Sequence, residues 1–126
     1  IASALEAHRP AIVILALGAN DGLRGQALDA MRANLEAIIQ TCRRFNARVV
    51  LVGMRLPPNY GAHYGEKFHQ VFVDLARRRK LPLVPFLLEG FGDDRTLFQP
   101  DGFHPAAPAQ ARMMETVWKT LRPLLR

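Results

Sequence analysis

The stretch "AIVILALGAND", Ala11–Asp21, sets seven apolar residues directly before a glycine, an alanine, an asparagine and an aspartate. A run rich in Ile and Leu, with no charge inside it, predicts a strand over Ala11–Leu17 buried on both faces, as in a parallel sheet. Gly18 then predicts a polar loop at the strand's carboxyl end. Two further segments of the same kind lie downstream, "RVVLVGM" (Arg48–Met54) and "LPLVPF" (Leu81–Phe86), the last with prolines at its margins. Between the first two, Leu28, Met31, Leu35, Ile38, Ile39 and Cys42 recur at three- and four-residue steps, the spacing of an amphipathic helix. Phe68, Val71, Phe72, Leu75 and Ala76 mark a second helix, with Lys67, Asp74 and Arg78 on its polar face. From about Pro108, Met113, Met114, Val117, Trp118, Leu121 and Leu125 predict a closing helix.

Strand and helix therefore alternate three times. Right-handed crossovers then give a parallel sheet with helices on both faces, a three-layer α/β/α fold. The loops "GAND", "RLPPNYG" and "LLEGFGDD…DGFHP" each follow a strand's carboxyl end, the edge at which open α/β sheets bind ligands. Three polar loops thus converge on one rim.

The chain has 126 residues, 49% of them hydrophobic, which fits one domain or part of one and excludes a disordered polymer. No apolar run is long enough to cross a bilayer. The opening "IASALEAHRP" reads as a helix already under way, so a further N-terminal portion is expected upstream. The single cysteine, Cys42, rules out an internal disulfide and falls at an apolar helix position, where a buried inert thiol is expected. The net charge of +6 invites a nucleic-acid reading. Against it, the arginines are scattered, and the one cluster, "ARRRK" (Ala76–Lys80), ends a helix without interleaved aromatics.

Two groups of residues carry chemistry. Asp101 stands three residues before His104 in "QPDGFHP", where a carboxylate can hold one ring nitrogen and leave the other free to take a proton. Taken alone, Asp101-Gly102 is equally a common turn, and His104 equally a surface residue ahead of a helix. Asn20 offers a neutral amide N–H just after the first strand, suited to stabilising a developing oxyanion. It is also what a simple turn would use, beside Gly18 and Asp21. His8, His63 and His69 share no metal-ligand spacing, and Asp93 and Asp94 read as a solvated turn.

"LALGANDGLRG" and "QPDGFHP", in this order on one rim, resemble the SGNH (GDSL-type) hydrolases. Gly18, Asn20 and Asp21 match that family's G-x-N-D block, and Asp101 and His104 its D-x-x-H block. "MRLPPNYG" and "PLVPFLLEG" look like the bacterial acyl-thioesterase, lysophospholipase and arylesterase branch. The likeness runs over essentially the whole chain. It implies a flavodoxin-like sheet, a serine nucleophile, no cofactor and no metal. His104 would be the base, Asp101 its orienting acid, and Asn20 an oxyanion donor supported by Gly18 and Asp21. Leu56 and Tyr60, with Tyr64, would line an acyl pocket, unless the tyrosines simply cover their loop. The implied partner is a small acyl ester or thioester, with neither nucleic acid nor an integral membrane segment involved, and oligomeric state is left open. The resemblance points to a periplasmic or secreted enzyme, the alternative being a cytoplasmic one.

The family carries its nucleophile in a G-D-S block one strand earlier. Ser3, the one serine present, lacks that block and reads as a helix residue. Residues 1–126 are accordingly expected to form the C-terminal part of one SGNH domain, without its first strands. A non-catalytic α/β binding module is the alternative. A nucleotide-binding domain fits less well, since the chain has neither G-x-G-x-x-G nor a P-loop lysine.

Overall fold

A computed structural model describes residues 1–17, 28–55, 61–84 and 107–125. Helix α1 (Ala2–His8) leads into strand β1 (Ile12–Leu15), helix α2 (Leu28–Arg44) into β2 (Arg48–Val52), and helix α3 (Ala62–Arg79) into β3 (Leu83–Val84). A 3-10 turn, Ala107–Ala109, opens helix α4 (Gln110–Leu121), and a second, Arg122–Leu125, follows it. Pro123 has no N–H to continue the α-helical ladder, which accounts for the tighter last turn.

The strands pair in the order β1-β2-β3, all parallel. Ile12 to Leu15 face Arg48 to Leu51, and Leu51 and Val52 face Leu83 and Val84. Alternate residues point to opposite faces. On one face Leu15, Val49 and Leu51 join Leu5 of α1, Met31, Leu35 and Ile39 of α2, and Phe68, Phe72 and Leu75 of α3 in a single core. The rings of Phe68 and Phe72 meet edge to face, 5.5 Å apart and at 76°, and full burial of one such ring contributes about 3 kcal/mol. On the other face Val50, Val52 and Val84 pack with Ile12, Leu121 and Leu124. The α/β/α layering is therefore as the sequence implies.

The differences are local, and each has a cause. β1 covers only Ile12–Leu15 of the expected Ala11–Leu17, because pairing with β2 extends no further. It is also buried on one face rather than two. α4 lies against β2 and β3, leaving Ile14 45% exposed. Met114, Trp118 and Leu125, assigned to the closing helix's apolar face, are exposed, while Leu121 and Leu124 make the contact. β2 stops at Val52 instead of Met54, and β3 is only Leu83–Val84. Pro82 still joins the sheet through its carbonyl, which accepts from Leu51 N–H at 3.0 Å. α3 begins at Ala62, so Tyr64 belongs to a helix and not to the rim loop. Gly61, at φ 86°, makes the entry turn in a conformation that favours glycine.

All three helix-to-strand turns at the sheet's amino edge stop in the left-handed region, at Arg9 (φ 44°), Asn46 (φ 60°) and Lys80 (φ 54°). After α2, Ala47 N–H returns to Cys42 C=O at 3.0 Å and Asn46 N–H to Arg43 C=O at 2.9 Å. After α3, Leu81 N–H bonds Ala76 C=O at 2.8 Å. These are Schellman-type stops, with Ala47 and Leu81 packing back onto the core. α2 and α3 are clamped by Arg79 on Glu36, Arg32 on Asp74 at 3.7 Å, and Arg43 donating to the Arg79 carbonyl.

Among the described residues β1 pairs on one side only, with Ile14 and Leu17 exposed beside its free edge. Such an edge templates association. The 126-residue chain by itself should self-associate through this strand, and Ile14→Lys should reduce the association in sedimentation velocity. A monodisperse wild-type monomer at high concentration would contradict this.

Candidate active site

Because the strands are parallel, their carboxyl ends lie along one edge of the sheet. β1 ends at Leu15, β2 at Val52 and β3 at Val84, and the segments 18–27, 56–60 and 85–106 follow these ends. The stems at this edge are well fixed. Gly53 N–H donates to Val84 C=O at 2.6 Å, extending the β2–β3 pairing one residue beyond the strand. Met54 is half-buried and packs on the core. Arg55 pairs with Glu66 on the first turns of α3 at 3.3 Å. Both side chains are well exposed, so the pair adds under about 1 kcal/mol.

The described buried polar side chain is His69, only 7% exposed on the inner face of α3. Its Nδ1 lies 3.2 Å from the carbonyl oxygen of Met54. With the proton on Nδ1, the ring donates to that carbonyl just where the chain leaves β2. His69 thus ties the β2 exit to α3, which also carries the core rings Phe68 and Phe72. Sequence reasoning passed over it as one of three scattered histidines. The available signal was helical spacing, since His69 stands three residues before Phe72 and seven before Ala76, on the apolar side.

The sequence-predicted catalytic and binding residues, Gly18, Asn20, Asp21, Leu56, Tyr60, Asp101 and His104, lie outside the described residues. So do Asp93 and Asp94. Tyr64 is half-buried in the first turn of α3. Ser3 is exposed on α1, on the helix assigned to it. Cys42 is fully buried, and burial pushes its thiol above the usual range, against thiolate formation. It is a core residue. Among the described residues no three His, Cys, Asp or Glu side chains are grouped to hold a metal ion.

The model of the GDSL-like lipase/acylhydrolase family matches residues 1–112, a span that includes both the G-x-N-D and the D-x-x-H blocks. The chain belongs to that family. It is 48% identical over 121 residues to esterase TesA of Pseudomonas aeruginosa, covering 96% of this chain and 60% of TesA. It is 37% identical over 121 residues to thioesterase 1/protease 1/lysophospholipase L1 of Escherichia coli K12, covering 96% of this chain and 58% of that protein. A crystal structure of TesA superposes with a TM-score of 0.93 at 47% identity, covering 97% of this chain and 68% of that one. The three-layer GDSL fold is therefore shared, and the chain spans about 60% of the length of TesA.

Within this fold His69 braces the β2 exit. Its replacement by Ala removes a buried ring and leaves the Met54 carbonyl without that donor, so His69→Ala should cost about 1–3 kcal/mol. A shift of the urea midpoint at unchanged m-value checks this. No shift would show that the bond adds nothing.

Proposed function

We propose that the full-length protein is a serine hydrolase of carboxylic esters or thioesters, with its nucleophilic serine supplied from outside these 126 residues. What carries the reading is the position of two blocks along the chain, both inside the family match: G-x-N-D comes shortly after β1 ends, and D-x-x-H comes shortly before the turn that opens α4. The esterase and thioesterase names of the relatives support the same chemistry.

In this mechanism His104 takes the proton of the serine as the hydroxyl attacks the acyl carbonyl. Asp101 holds the ring in the productive tautomer and stabilises the imidazolium. Asn20 donates its amide N–H to the tetrahedral oxyanion, Gly18 allows close backbone approach, and Asp21 supports the loop. The imidazolium then protonates the leaving thiol or alcohol, and water releases the acyl-enzyme by the reverse sequence. Leu56 and Tyr60 offer apolar surface to the acyl chain. The substrate class is an acyl chain on a thiol, an aryl alcohol or a lysolipid. Ser3 is set aside because it sits exposed on α1 without a preceding Gly-Asp.

In the full-length protein His104→Ala should lower turnover of p-nitrophenyl esters by several orders of magnitude. Asn20→Ala should lower it about a hundred- to a thousandfold. Near-normal turnover by the His104 variant would refute the assignment and favour a binding module. Labelling by a fluorophosphonate, followed by peptide mapping, locates the nucleophile, and a label on Ser3 would overturn its dismissal.

Substitution at Leu56 should shift acyl-chain preference more than it changes turnover of acetate esters. A uniform loss across chain lengths would assign Leu56 a structural role instead.

A further inference from the structure

The amino edge of the sheet, opposite the strands' carboxyl ends, collects positive charge. Each of α1, α2 and α3 runs back to this edge before its strand begins, and each ends in basic residues: His8 and Arg9, Arg43 and Arg44, and Arg77 to Lys80. The end of α4 comes to the same place, because Arg48 at the start of β2 donates to Leu124 C=O at 3.3 Å. That bond brings Arg122 to this pole as well. Ion pairs among the described residues engage Arg77 and Arg79, through Asp74 and Glu36. They leave Arg9, Arg44, Arg78, Lys80 and Arg122 with no acidic partner, all of them exposed.

The helix macrodipole favours a cation in a last turn and by itself explains Arg44 or Arg78. It does not explain Arg9 and Lys80. Both occupy left-handed positions, at φ 44° and 54°, where a Cβ is disfavoured and glycine is the usual residue. Two apolar side chains are exposed amid these cations: Phe45, between α2 and β2, and Leu125, in the final turn. Cations interleaved with exposed Phe and Leu match the interface of an anionic bilayer, where headgroups take the charge and the acyl boundary takes the apolar groups. An aliphatic Leu125 would gain nothing by stacking on nucleic-acid bases. The segments between each strand and the next helix have the opposite charge balance, with five acids (Asp21, Glu89, Asp93, Asp94, Asp101) and three arginines (Arg24, Arg55, Arg95).

We propose that this basic pole docks the protein on membrane surfaces rich in anionic phospholipid, with the sheet's carboxyl edge directed away from the bilayer. The inference is independent of the hydrolase reading. The arrangement presents the carboxyl edge to the aqueous side, where it meets freely diffusing molecules.

Vesicle co-sedimentation of the full-length protein tests it, with phosphatidylglycerol vesicles against phosphatidylcholine vesicles of the same size. Binding should be confined to the anionic vesicles and should weaken as salt rises, because exposed charges are screened over about 10 Å at 0.1 M. The double variant Arg9→Gly/Lys80→Gly should bind roughly thirtyfold more weakly, from about a fivefold loss per cation. Its thermal midpoint should stay the same or rise, since glycine suits both left-handed positions, and this separates lost docking from lost folding. Should that variant not fold, Arg44→Gln/Arg78→Gln gives the same readout from exposed helix positions. Equal binding to both vesicle types, or wild-type affinity in a folded double variant, would overturn the proposal. Retention on duplex DNA without retention on vesicles would overturn it too, in favour of a nucleic-acid partner.

Discussion

Strand β2 is the constraint on which the rest of the structure depends. It is the middle strand of the described sheet, and Val49, Val50, Leu51 and Val52 are all buried. Val49 and Leu51 anchor the core beneath α1, α2 and α3, while Val50 and Val52 anchor the smaller cluster beneath α4. Because alternate side chains point in opposite directions, both helix layers are positioned by the same four residues. A slip of one residue in their pairing with β1 would exchange the two faces and unmake both clusters.

Parallel pairing also gives the molecule its polarity. Every strand ends at the same edge, so the segments that follow β1, β2 and β3 all begin there. Every returning helix ends at the other edge, where left-handed stops turn the chain into the next strand. The two edges then carry different chemistry. Apolar packing and a buried histidine bond fix the stems on the carboxyl side, with Met54 held through His69. On the amino side, cations lie over helix carboxyl ends, where the dipole tolerates them.

The α4 layer shows the limit of periodicity as a guide. Met113, Met114, Val117, Trp118, Leu121 and Leu125 read as one apolar stripe, yet it is Leu121 and Leu124 that reach the sheet, and Met114 is 64% exposed. α4 is applied mainly to β2 and β3, and of β1 only Ile12 joins the cluster beneath it. Ile14 is left bare for the same reason. Apolar spacing says which residues share a side of a helix. It does not say how much of that side a neighbour occupies.

The sequence by itself determined the alternation of elements, the parallel sheet, the α2 and α3 core faces and the two blocks that match the GDSL family. Those signals are local: unbroken β-branched runs, three- and four-residue spacing, and short motifs whose chemistry is written in adjacent residues. Only the tertiary structure decided that α3 starts at Ala62 despite Gly65. The helical cost of one glycine, about 1 kcal/mol, is outweighed by the burial of Phe68, Val71 and Phe72 against the sheet. It likewise decided that His69 meets the Met54 carbonyl, a contact between residues fifteen apart. And it gathered basic residues from four helix ends onto one pole. Contacts of this kind depend on where distant segments come to rest, which no spacing along the chain encodes.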